Sequence, residues 1–138
     1  MGKILVGFDG TEEARRALDR AIALAQPGDE VTVVAAMPEI VWGAAGSHNE
    51  TFERGGDVAA ARAHLDEAAE KLTARGIPTT TLHQNGDPVD VIVDTAKAGH
   101  YDTIVVGSRG HGLAKRLLVG SVSTGVLRHA TCDVVVVH

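Results

Sequence analysis

Cysteine, aromatic rings and long apolar runs are scarce in this sequence. Of 138 residues only Cys132 is a cysteine, so no intrachain disulfide can form, no oxidising compartment is needed and a cytoplasmic location is expected. Cys132 itself reads as a small residue ahead of a strand. Aromatic residues make up 3% of the chain, too few to sandwich an isoalloxazine, which argues against a flavin carrier. The longest apolar runs, such as Val134 to Val137, fall far short of the ~20 residues that cross a bilayer, and Met1-Gly2-Lys3 leads straight into a strand-like run. Neither membrane insertion nor a signal peptide is expected. A basic excess is also missing. Thirteen Lys+Arg against eighteen Asp+Glu leave a net charge of −5, which argues against a strongly basic nucleic-acid binder.

Several catalytic and phosphate-binding signatures are absent as well. There is no G-x-x-x-x-G-K-[ST] loop, no G-x-G-x-x-G after the first strand and no G-x-S-x-G elbow. The seven histidines show neither H-x-x-x-H nor H-x-H spacing, so no dedicated metal site is expected.

What is present is an alternation. Runs at Ile4–Phe8, Val31–Ala36 and Thr103–Val106 read as strands, with Thr79–His83 and Val134–Val137 as further ones. The first and last pairs are continuously apolar, which suits strands covered on both faces. Between them lie helical stripes: Ala14, Ala17, Leu18, Ala21, Ile22, Ala25; then Val58, Ala61, Leu65, Ala68, Ala69, Leu72; then Val89, Ile92, Val93, Ala96 after Pro88. A fourth helix is expected from an N-cap at Ser121, carrying Val122, Val126 and Leu127 inward. The order predicts an α/β doubly wound, five-stranded parallel sheet with right-handed crossovers in one domain, 1–138. Met37 to Gly56 reads as a connection without periodicity, its glycines suiting a flexible flap that carries Trp42.

Charge is unevenly distributed. Residues 1–108 carry nine Lys+Arg and seventeen Asp+Glu, a net −8, whereas residues 109–138 hold Arg109, Lys115, Arg116 and Arg128 against Asp133, a net +3. The basic stretch follows a strand ending in Gly107-Ser108-Arg109-Gly110 and runs to Gly120-Ser121-Val122-Ser123. In open parallel sheets ligands sit beyond the carboxyl ends of the strands, at the switch point. If this loop and Gly7-Phe8-Asp9-Gly10-Thr11 share a site, the first and fourth strands are neighbours and the strand order is 3-2-1-4-5. Glycines would permit positive φ and close backbone approach to a phosphate, and Ser121 would add a hydroxyl and a helix dipole. Glu12 and Glu13 already answer the dipole of the first helix, so phosphates belong at the fourth-strand loop and Asp9 is left for sugar hydroxyls. Asp9 as a helix cap, and the basic residues as solvated surface charges, are the alternatives. His111 is a minor contact candidate, and His129 reads as structural.

These residues resemble the universal stress protein family, in particular its ATP-binding branch. The signature G-x2-G-x9-G-[ST] is met by Gly107, Gly110, Gly120 and Ser121, and the likeness runs from Ile4–Thr11 through Gly86-Asp87-Pro88 to Val134–Val137. The resemblance implies that Asp9 contacts ribose, that Gly7 and Phe8 line the nucleotide site, and that Ala36 and Val106 flank the base. It also implies that Gly107, Gly110, Gly120, Ser121 and Val122 surround the phosphates and ribose; Arg109 from the basic loop and Ser123 beside the phosphates complete the expected binding set. Asp133 departs from the proline often found there, which touches the dimer edge and not the nucleotide. The implied ligand is ATP, with any Mg2+ arriving on the nucleotide. The implied assembly is a homodimer through Val134–Val137, where an apolar edge strand invites pairing, with a tetramer as the larger option and an unknown regulatory protein as partner. The expected function is a regulatory, stress-response nucleotide-binding module. The alternative is an enzyme, a slow ATPase or an autophosphorylating one using Ser121 or Ser123, but no general base stands out and no catalytic residue is assigned.

Overall fold

The computed structural model describes residues 2–37, 48–108 and 120–138, with 48–57 described through their backbone only. Nine elements alternate: β1 (Lys3–Gly7), α1 (Glu12–Leu24), β2 (Glu30–Met37), α2 (His48–Thr73), β3 (Thr79–Asn85), α3 (Pro88–Ala98), β4 (Thr103–Gly107), α4 (Ser121–His129) and β5 (Asp133–Val137). All four pairings are parallel and the order is β3-β2-β1-β4-β5, as the placement of the loops predicts. The α/β doubly wound architecture is therefore established.

The inner strands β1, β2 and β4 are largely apolar because both faces are covered, whereas the edge strand β3 is mostly polar and exposed. Ile4, Val6, Val31, Val33, Ala35 and Val105 face α1 and α2, meeting Ala14, Ala17, Leu18, Ala21, Leu65, Ala68 and Leu72. Leu5, Val34, Ile104 and Val106 face α3 and α4, meeting Val91, Ile92, Val93, Ala96 and Val126. Burying each of the Val, Leu and Ile side chains contributes about 1.5–3 kcal/mol, and each alanine less. The one buried threonine in the sheet, Thr32, accepts a hydrogen bond of 2.6 Å from the Tyr101 hydroxyl. Since α1 and α2 lie on one face and α3 and α4 on the other, the chain changes sides between β1 and β4. That is the switch point.

Three expectations are corrected. Residues 48–56 are not part of an irregular connection, because α2 begins at His48; the flap residues 38–47, with Trp42, lie outside the described residues. Leu127 does not turn inward and is 51% exposed, while Ser123 is buried in its stead beside Val126. Four residues separate Val122 from Val126, a spacing that keeps both on the inner face, and Leu127 lies a further 100° round the helix. Finally, Ser121 is the first residue of α4 and Gly120 is its N-cap.

Candidate functional site

A cavity of about 620 Å³ opens at the carboxyl ends of β1 and β4, within the ~300–1,000 Å³ of small-molecule sites. Its floor is built by close approach. A Cβ on Gly7 would come within 2.8 Å of Ile92 Cδ1 and 3.2 Å of Val106 Cγ1. A Cβ on Gly107 would come within 2.8 Å of the Glu13 backbone, so glycine lets the end of β4 seat under the first turn of α1. Neither Gly107 nor Gly120 has positive φ, which corrects the expectation that these glycines supply left-handed backbone. Positive φ occurs instead at Gly10, at 79°, in the turn that carries Asp9.

The walls differ in character. Val34 and Ala36 from the end of β2, Val89 and Ile92 from α3, and Val106 from β4 make an apolar side. Asp9, Ser108, Gly120, Ser121 and the start of α4 make a polar one. Asp9 does not cap α1: that role falls to Thr11, whose hydroxyl accepts from the Ala14 amide at 3.2 Å. The Asp9 carboxylate accepts from the Thr11 amide at 3.0 Å and from the Thr11 hydroxyl at 2.6 Å, which fixes its direction at the cavity edge.

The polar side is organised around one junction. The Gly120 amide donates to the Ser108 carbonyl, so these two residues meet at a single point on the rim. Ser123 Oγ donates to the Ser108 and Gly120 carbonyls at 3.1 and 3.0 Å, and the Ser108 amide donates to the Val137 carbonyl at 2.7 Å. Ser123 thus lines the cavity while its only hydroxyl proton points inward, to the junction. Ser108 Oγ, fully buried, has no hydrogen-bond partner among the described residues.

Three helices start on this rim, and their amides are committed differently. α1 has the Thr11 cap with Glu12 and Glu13 in its first turn. α3 has the Asp87 carboxylate accepting from the Val89 and Asp90 amides at 2.9 and 3.3 Å. α4 has a glycine N-cap, no side-chain cap bond and no acid in its first turn. Helix geometry leaves the Ser121, Val122 and Ser123 amides without intrahelical acceptors, and these residues line the cavity. The positive end of the α4 dipole is thus available to an anion.

Of the twelve residues expected at a site, ten line this cavity: Gly7, Phe8, Asp9, Ala36, Val106, Gly107, Gly120, Ser121, Val122 and Ser123. Arg109 and Gly110 lie outside the described residues, as do His111, Lys115 and Arg116. Sequence reading missed Ala14, Val34, Asp87, Pro88, Val89, Ile92 and Ser108 as cavity residues. Asp87-Pro88 carried a usable signal, a cap followed by proline at the helix start, which puts a helix N-terminus at the same end of the sheet. Cys132 does not line the cavity; burial, and then the adjacent Asp133 carboxylate, push its thiol pKa up, away from nucleophilic use. Among the described residues no group of three or more His, Cys, Asp and Glu is placed to hold a metal, and no helix is long and apolar enough to cross a membrane.

Residues 1–138 match the model of the Universal stress protein family. Universal stress protein YxiE of Bacillus subtilis (strain 168) is 31% identical, with 99% of this chain and 98% of that one aligned. Among solved structures, a universal stress protein in complex with cAMP is 30% identical, covers 99% of this chain and 97% of its own, and superposes with a TM-score of 0.73. The universal stress protein from Archaeoglobus fulgidus in complex with dAMP is 27% identical, covers 100% and 98%, and also gives 0.73.

Proposed function

Because the chain belongs to the universal stress protein family, we propose that it is an adenine-nucleotide-binding regulatory module of the stress response, with ATP as its ligand. The observation that carries this reading is the uncapped, acid-free start of α4 facing a cavity whose opposite wall is apolar. That division suits a molecule with a flat apolar head and an anionic tail, and the cAMP and dAMP complexes of the two solved relatives support the adenine part. In this arrangement the base lies between Ala36 and Val106, against Val34 and Ile92. Asp9, its direction set by Thr11, accepts hydrogen bonds from ribose hydroxyls. The phosphates meet the amides of Ser121, Val122 and Ser123, with the Ser121 hydroxyl beside them; Arg109 and Gly110 belong on the same side, where the basic segment answers the phosphate charge. Mg2+ arrives with the triphosphate and keeps most of its waters.

Regulation is preferred over turnover because both carboxylates on the cavity wall, Asp9 and Asp87, already accept hydrogen bonds from backbone amides. Ser123 is a poor phosphoryl acceptor for the same reason, since its proton is held at the junction. Native mass spectrometry of the freshly purified protein tests the proposal. ATP at about one per subunit is the expected result; ADP alone would favour the slow ATPase, and an empty protein that also ignores added ATP would overturn the site.

The same proposal includes a homodimer through β5. Val134 to Val137 form a half-buried apolar edge, with Leu24 and Arg20 bordering a groove along it, and an unpaired edge of this kind is satisfied by antiparallel pairing across a two-fold axis. A tetramer is the larger form of the same assembly. The single cysteine, which needs no oxidising compartment, supports a cytoplasmic site of action. Size-exclusion chromatography with light scattering checks the dimer: Val135→Lys should give monomers.

A further inference from the structure

The Asp9 turn is held from a direction in which no ligand lies. A Cβ built on Gly10 would fall against the His64 ring, 2.6 Å from Nδ1, so the imidazole of α2 rests directly on the turn. The same ring meets Phe8 edge-on, with centroids 6.2 Å apart and planes at 75°. Phe8 lines the cavity, and His64 packs against it without lining the cavity itself. Arg15 closes the arrangement: Nη1 donates to the Gly10 carbonyl at 2.6 Å while Nε pairs with Glu67 Oε1 at 3.4 Å, one helical turn beyond His64. A second ion pair between the same two helices, Lys71 with Asp19 at 2.5 Å, continues the line away from the site. No described residue of α2 lines the cavity.

We infer that α2 positions the Asp9 carboxylate. The His64 ring seated on Gly10 and Phe8, and Arg15 held between the Gly10 carbonyl and Glu67, brace the turn from outside the cavity. The residue that reads the ligand's sugar is therefore aimed by a helix that does not line the site. The physical reason is the conformation of Gly10. A glycine at positive φ has the widest backbone freedom of any residue, and the two hydrogen bonds from Thr11 to Asp9 tie the turn to itself. From the side of α2, His64 packs on Gly10, and Arg15 bonds to its carbonyl, which limits that freedom. His64 and Arg15 are positioning residues here. The sugar-selective part of the inference rests on the nucleotide reading above.

The test compares affinities for AMP and 2′,3′-dideoxy-AMP by calorimetry, together with hydrogen exchange of the Thr11 amide in the ligand-free protein. The wild-type protein should favour AMP by about tenfold or more, the worth of a hydrogen bond to a carboxylate. His64→Ala should bring that ratio to within about twofold of one, mainly by weakening AMP, and should speed Thr11 exchange by about tenfold or more. His64→Phe keeps an aromatic edge on Phe8 and should retain the ratio. Glu67→Gln alters only a half-exposed pair and leaves the core intact, so it guards against a variant that fails to fold; it should give a smaller loss in the same direction. A ratio that survives both His64→Ala and Glu67→Gln overturns the brace, because simple packing would lower both affinities equally. Should the wild-type protein bind neither nucleotide, the nucleotide reading falls, and Thr11 exchange alone decides the brace: unchanged exchange in His64→Ala overturns it, faster exchange upholds it.

Discussion

α1 and α4 both begin at the carboxyl end of a parallel strand, on the same rim and around the same cavity, yet their first turns are built for opposite purposes. Thr11 caps α1 and Glu12 and Glu13 answer its dipole, so its electrostatics are complete within the chain. α4 opens with Gly120, which supplies no side-chain acceptor, and with Ser121-Val122-Ser123, which supplies no charge. One helix start is completed by its own side chains, and the other is not. The comparison teaches what to look for in a candidate site: a helix start that lacks the cap and the acid its neighbours carry.

The contrast can be broken most sharply by giving α4 the acid that α1 has. Ser121→Glu places a carboxylate on an exposed first-turn position, so thermal stability should hold or rise slightly while AMP or ATP affinity falls by about a hundredfold or more, read by calorimetry and a melting curve on the same sample. Simultaneous loss of both would mean that α4 matters only to the fold. Next in size is Gly107→Ala, which drives a Cβ into the Glu13 backbone and should cost about 1–3 kcal/mol of stability by prising α1 from the end of β4, measured by urea denaturation. Thr11→Ala removes the α1 cap and should lower stability by about 1 kcal/mol. Ser121→Ala is the mildest, with stability unchanged and nucleotide affinity reduced about fivefold if the hydroxyl serves the ligand, corresponding to about 1 kcal/mol.

The strand order and the two-sided burial were legible because the alternation of apolar runs and helical stripes is a local pattern. The β-strand bounds moved by only a residue or two. The start of α2 was not legible, because His48 to Asp57 carries Gly55-Gly56 and no apolar period, so neither propensity nor amphipathicity marks it as helix. The burial of Ser123 was hidden for a different reason. A serine reads as surface until its hydroxyl is seen to bond two backbone carbonyls at the rim. At the site, glycines and hydroxyls following strands were visible in sequence, whereas Val89 and Ile92 reach the cavity only because α3 crosses beneath β1, a contact between residues some eighty positions apart that no local pattern encodes.

The central position of β1 has a consequence for synthesis. Its edges pair with β2 and β4, and the second pairing joins Ile4, Leu5 and Val6 to Thr103, Ile104 and Val105, while the Asp102 amide donates to the Lys3 carbonyl and the Lys3 amide donates to the Asp102 carboxylate, 99 positions along the chain. At about 5–20 residues per second of translation, the first strand to emerge waits about 5–20 s before its second neighbour exists. During that interval a strand that is apolar from Ile4 to Val6 and destined for the middle of the sheet has a bare edge. Chains that terminate before residue 103 carry that edge permanently, and they should partition into aggregates even though α1, β2, α2 and β3 have all been made.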